Sequence, residues 1–162
     1  MTPLLRPARS TDAGKLGAMI SEAVAERPWK PRLHSGAEDI AHVGRMIERG
    51  WVTVAEDGDS PAPVGFIARE RDYIHALFIT PRAQRAGVGR ALIEAAQEQC
   101  DRLELWTFAA NKGALRFYDR AGFDIIGRGD GSGNEEGLPE VRFCWTAPVS
   151  DPPAPSSGKT AT

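Results

Sequence analysis

The sequence predicts one α/β domain: a mixed sheet with helices on both faces. Three observations carry that prediction. Short runs rich in β-branched and aromatic residues alternate with segments of helical apolar spacing, in the order β-α-α-β-β-β-α-β-α-β-β. The 162 residues suit a single domain, and 41% hydrophobic with 26% charged residues is ordinary for a chain that folds around a core. The pattern also changes abruptly from strand to helix across Pro81 and a glycine turn.

Residues 4–8 read as a short first strand. Ser10 or Thr11 then caps a helix whose apolar positions are Ala13, Leu16, Ile20, Ala23 and Val24, until Pro28 and Pro31 break it. A second helix starts near Ala37, with Ile40, Val43 and Ile47 on one face and Gly50 at its end. Residues 51–56 and 64–70 are strands joined by the turn-forming Asp57-Gly58-Asp59-Ser60-Pro61. Residues 73–79 are apolar except for His75 and predict a central strand buried on both faces. Val88, Ala91, Leu92 and Ala95 fall at i, i+3, i+4 and i+7, a helix to about Asp101. Residues 103–108 are a strand. Residues 111–121 are a helix with Ala114, Phe117, Tyr118 and Ala121 on one face, stopped by Gly122. Residues 123–127 and 141–146 are the last strands, around a polar loop at 129–137. Residues 148–162 hold four of the twelve prolines and no large apolar residue but Val149, which predicts a mobile tail after a domain at 1–147.

Charge excludes some partners. Twenty Lys plus Arg against 22 Asp plus Glu give a net charge of −2, so no global field draws the chain to nucleic acid or an anionic membrane. The N-terminal residues lack the apolar stretch of a secretory leader, and no run approaches the roughly 20 apolar residues of a membrane helix. Cys100 and Cys144 form neither a metal-ligand spacing nor a disulfide framework and read as buried small hydrophobes. A reduced, cytoplasmic protein without a metal is the expectation.

The chemistry concentrates between Ile79 and Arg90, where a strand turns into a long helix. The first turn of a helix offers unpaired N–H groups and the positive end of its dipole, which suits a phosphate. Gly87 and Gly89 let an anion approach the backbone, and Arg82, Arg85 and Arg90 add local positive charge. A Walker loop would need Gly-Lys-Ser/Thr where Gly89-Arg90-Ala91 stands. A dinucleotide fingerprint would need a small residue where Leu92 stands and an acidic residue near Trp106 and Thr107.

Gln84, Gly87 and Gly89 are in register with the Gln/Arg-x-x-Gly-x-Gly/Ala signature of the GNAT superfamily of N-acetyltransferases, and the segment resembles it. Residues 76–81, 111–118 and 121–123 are similar to that family too. The resemblance implies a GNAT-type, mostly antiparallel central sheet and acetyl-coenzyme A as donor. Backbone groups of Phe78 and Ile79 would bind the pantetheine arm as an added strand would. Gln84 marks the turn, and backbone groups of Arg85, Ala86, Gly87, Val88, Gly89 and Arg90 would hold the pyrophosphate. Asn111 would bond coenzyme A near its reactive half, and Tyr118 would assist the departing thiolate.

An alkylamine near pKa 10 must lose a proton before it attacks the thioester. The ribosomal-protein acetyltransferases of the family carry a glutamate base five residues before the matching asparagine, where this chain has Trp106. The base is then His75, His34 or a water. Strand alternation puts His75 on one face with Tyr73 and Leu77. Trp29 and His34 lie in the link between the first two helices, which in the family borders the acceptor, and the run from Trp29 to His34 resembles bacterial members of the family. Glu135, Glu136 and Glu140 offer an acidic attraction for a cationic acceptor. The expected acceptor is a small-molecule amine or a peptide N-terminus, attacked directly; the rival reading is a non-catalytic sensor of coenzyme A. Edge strands of such a fold often pair, so a homodimer is expected.

Overall fold

The computed structural model describes residues 2–149, so all but Pro148 and Val149 of the expected tail lies outside the described residues. Seven strands form one sheet: β1 (Leu4–Pro7), β2 (Val52–Glu56), β3 (Pro63–Glu70), β4 (Tyr73–Ile79), β5 (Arg102–Phe108), β6 (Asp124–Gly129) and β7 (Glu140–Thr146). Their spatial order is β1-β2-β3-β4-β5-β7-β6. Every neighbouring pair is antiparallel except β4 and β5. Among the described residues four α-helices complete the predicted order: α1 (Ala13–Ala25), α2 (Gly36–Glu48), α3 (Val88–Gln99) and α4 (Lys112–Arg120).

Two cores lie on opposite faces of the sheet. On one, Leu16, Met19 and Ile20 of α1 and Val43 and Met46 of α2 cover Val54, Phe66 and Ala68. On the other, Leu92 and Ile93 of α3 and Tyr118 of α4 cover Ile67, Leu103, Leu105 and Phe143. Each fully buried large side chain contributes roughly 1.5–3 kcal/mol, so both helix pairs are held by burial more than by propensity.

Three local expectations are corrected. Neither Ser10 nor Thr11 caps α1. A short 3₁₀ turn at Ser10–Asp12 precedes it, and the Asp12 carboxylate accepts from the Arg9 amide at 2.7 Å and from the Arg6 guanidinium at 2.8 and 2.9 Å. The carboxylate fixes the 3₁₀ turn to Arg6 and to the Arg9 amide and makes no capping bond to α1 itself. In α2 the buried positions are Asp39, Val43 and Met46, while Ile40 is 40% exposed. Asp39 can be buried because the Ser21 hydroxyl of α1 donates to it at 2.6 Å. Ser35 caps α2 in a reciprocal box with Glu38.

The third correction decides the site. β4 is not buried on both faces; only Ile74 is buried, and the rest of the strand is partly open. Register shifts between Ala68 and Arg69, which face Ala76 and Ile74, so His75 is the extra residue of a β-bulge. β4 and β5 then share a single register pair, Tyr73 with Glu104, beyond which they separate. The bulge also breaks the simple alternation. Ile74 packs in the same core as Leu77 and Ile79, while Ala76 and Phe78 pack with the other.

Candidate active site

The gap between β4 and β5 leaves backbone groups of β4 without a strand partner. The Thr80 amide donates to the Val64 carbonyl at 2.9 Å, which makes Thr80 and Val64 a hydrogen-bonded pair. By the same register Phe78 bonds to β3, and the N–H and C=O groups left without a strand partner are those of Leu77 and Ile79. Phe78, expected to offer its backbone, turns it to β3 instead. Gln84 reaches the end of this open edge, its Nε2 3.4 Å from the Ile79 carbonyl oxygen.

The glycine turn follows directly. Gly87 has φ of +81° at the start of α3, a conformation that costs an L-residue roughly 1–2 kcal/mol. Gly89 serves a different need. A Cβ there would stand 3.2 and 3.3 Å from the Phe117 ring of α4, so the missing side chain lets α3 and α4 close on each other. Among the described residues, the amides of Arg85, Gly87, Val88, Gly89 and Arg90 donate to no backbone carbonyl. The Ala86 amide is taken by the Ala83 carbonyl at 3.1 Å. Five free N–H groups at a helix N-terminus are an anion site by their own dipoles. The Arg90 side chain points elsewhere, exposed beside Glu94 at 3.7 Å, whereas Arg85 lines the cleft.

That cleft is a cavity of about 350 Å³ running from the turn along β4. Its far wall comes from α1 and the residues just after it, through Met19 and Glu22 of the helix and Glu26 and Arg27 beyond its end. The Thr80 residue lines it, and its hydroxyl is buried and without a hydrogen-bond partner among the described residues. A second cavity of about 200 Å³ opens on the α1 and α2 side of β5, against Trp29, Lys30, Trp106, Phe108 and Glu140. The two cavities share Arg27, Leu77, Phe78, Asn111, Ala114 and Tyr118. They meet where the strands part.

Tyr118 is 7% exposed, and burial alone holds its phenol well above the ordinary value. The hydroxyl therefore stays protonated at neutral pH and can donate. The Asn111 side-chain oxygen caps α4, accepting from the Ala114 amide at 3.1 Å.

A family model described as acetyltransferase (GNAT) domain matches residues 32–143. The chain belongs to this family. Peptidyl-lysine N-acetyltransferase YjaB of Escherichia coli (strain K12) is 36% identical to it over 80 residues, 49% of this chain and 52% of that protein. Peptidyl-lysine N-acetyltransferase YiaC of the same organism is 34% identical over 79 residues, 48% of this chain and 51% of that one. The chain thus spans about half the length of these curated relatives. In fold, the GNAT domain is similar to a GNAT-family acetyltransferase from Bacillus cereus ATCC 10987, with a TM-score of 0.73 at 13% identity over 92% of this chain and 100% of that one.

Within the GNAT domain the two candidate histidines part company. His75 lines the second cavity. Its ring stacks on Trp51 at 4.7 Å, and its Nε2 lies 2.9 Å from Glu70. His34 lines neither cavity. Its Nε2 lies 2.9 Å from Glu135 and its Nδ1 3.8 Å from Glu38, so it ties the α1–α2 link to the loop before β7. The hydrogen bond to Glu135 raises its pKa above the ordinary 6.5. The link is therefore complete below the unfolded value and is lost as pH rises through the raised one. In an NMR titration the His34 ring should lose its proton above pH 6.5, and Glu135→Gln should lower that midpoint; an unmoved midpoint would break the assignment. Trp29 meets the Phe108 ring edge-on at 5.8 Å, at the mouth of the second cavity.

Leu77 and Thr80 fall in the segment that resembles the family without being singled out by it, and no sequence signal marks Met19, Glu22, Glu26 or Arg27. Glu22 and Glu26 look like a solvated helix face, and Leu77 like core. Among the described residues no helix is long and apolar enough to cross a membrane.

Proposed function

We propose that this chain transfers the acetyl group of acetyl-coenzyme A to a lysine side-chain amine of a peptide, by direct attack on the thioester. One observation carries the reading: the open edge of β4 leads from a turn with five free amides to Tyr118 and Asn111, where a second, aromatic-walled cavity begins. The pyrophosphate would lie on the free amides of the turn. The pantetheine would pair with the backbone of Leu77 and Ile79, and its reactive end would reach the junction. The structure of yncA from Salmonella typhimurium, solved with its cofactor acetyl-CoA, has a TM-score of 0.68 at 18% identity over 95% of this chain and 99% of that one, and agrees with such a donor.

Trp29, Trp106 and Phe108 suit the aliphatic stem and ammonium of a lysine. Among the described residues Glu140 is the one carboxylate lining that cavity, and it makes no ion pair with another of them. It draws the ammonium in and takes its proton through water. Tyr118 donates a hydrogen bond to the departing sulfur. Full proton transfer from it is uphill, since the phenol lies well above a thiol near 8.5. His75 and His34 shape the acceptor side rather than move protons.

The test is release of the coenzyme A thiol from acetyl-coenzyme A with two peptides. One has a lysine and a blocked N-terminus, the other a free N-terminus and no lysine. Turnover of the first is the expected result. Turnover of the second alone would move the acceptor to an α-amine. Coenzyme A binding without turnover of any amine would make the protein a sensor.

A further inference from the structure

Lys30 is a lysine already inside the proposed acceptor cavity. It follows Trp29 in the link after α1 and lines the same 200 Å³ space as Asn111 and Tyr118. Its Nζ stands 5.2 Å from the centroid of the Phe108 ring, the surface on which an incoming lysine would rest. Trp29 packs edge-on against that same ring. The Lys30 ammonium makes no ion pair or hydrogen bond with another described residue, unlike the side chains of Arg6, Arg102 and Arg142, which all hold carboxylates, and only its backbone amide is bonded, to the Arg27 carbonyl at 3.0 Å. The contact with the Phe108 ring leaves the ammonium at the cavity with no carboxylate holding it.

We propose that Lys30 is an internal acceptor: the protein acetylates its own Lys30 from acetyl-coenzyme A. The inference rests on the acetyl-transfer reading above. Burial lowers the Lys30 pKa, which raises the fraction of neutral, nucleophilic amine. The charges facing it are Arg27 beside it, Asp39 of α2, and Glu136 of the loop before β7, with Glu140 and His75 in the same cavity. The Nζ lone pair attacks the thioester carbonyl carbon. The new C–N bond forms, the C–S bond breaks, and its electron pair goes to sulfur. One proton leaves the nitrogen and ends on the thiol. The product is a neutral acetyl-lysine lying across the cavity, which removes one positive charge from the acceptor site and narrows it.

The chain supplies its own controls, since its other lysines are Lys15, Lys112 and Lys159. Lys15 and Lys112 are exposed. The full-length protein is incubated with isotope-labelled acetyl-coenzyme A, and each lysine is followed by peptide mass spectrometry. Lys30 should be acetylated at least about tenfold faster than Lys15 and Lys112, at a rate independent of protein concentration, because the reaction is intramolecular. Tyr118→Phe should slow Lys30 modification. Mixed with active wild type, that variant should stay unmodified at Lys30, and its coenzyme A thermal shift would show that it is folded. Equal rates at all lysines, or modification of the variant in trans at the wild-type rate, overturns the proposal. Turnover of the lysine peptide with Lys30 unmodified overturns it alone. No transfer to any amine overturns the acetyl-transfer reading as well.

Discussion

A Gly89→Val protein is expected to lose coenzyme A binding by more than about a hundredfold. Saturation of the wild type at 100 times its dissociation constant should contribute about 2.7 kcal/mol of stability, and in the variant that thermal shift should nearly vanish. The cause is local. The Cβ alone would come 3.2 Å from Phe117, and a valine adds two methyl groups in the same place. Either α4 moves out or the turn opens, and both disturb the free amides. Overpacking of this kind costs the apo-protein roughly 1–3 kcal/mol as well. Gly89→Ala separates the two effects. Its single methyl needs the ring to give by a few tenths of an ångström, and it gains helix propensity, so binding should fall far less. Equal binding by all three proteins would mean that the ligand does not use this turn.

Replacing Tyr118 by phenylalanine should lower kcat by about 10²–10³-fold, the size of losing one hydrogen bond that forms fully only in the transition state. The KM for acetyl-coenzyme A should change little, and so should stability at neutral pH, because the hydroxyl leaves no buried partner behind. The stability curves should part only in alkali. The raised phenol favours the neutral form in the folded state, so that contribution is present below an unfolded value of about 10 and is lost as pH rises past it. The variant, with no proton to lose, should be the more alkali-resistant of the two. An unchanged kcat would make Tyr118 a core residue and nothing more.

Much of this was legible in residue order. Val88, Ala91, Leu92 and Ala95 announce α3, and Gln84, Gly87 and Gly89 announce the turn before it; both lie where expected. Details failed where a side chain answers to a neighbour distant in sequence. Ile40 has the right spacing to be buried, yet α2 is rotated to bury Asp39, because Ser21 of α1 waits for it. His75 reads as an interruption in a buried strand. Only its pairing with β3 shows it to be the residue of a bulge. Phe78 and Leu77 are equivalent in the sequence, and register alone decides which one turns its backbone to the open gap.

By itself, the sequence determined the order of the elements, the glycine turn and the family to which they belong. Those are local properties, written in the spacing of apolar residues and in the φ that Gly87 must adopt. Only the tertiary structure decided where the strands separate, which five amides remain free and which side chains enter the second cavity. These follow from strand register and helix rotation, which are set by contacts between residues far apart in the chain. Lys30 shows the difference: in the sequence it is one basic residue between Trp29 and Pro31, and in the fold it lies over Phe108 beside the proposed site of transfer.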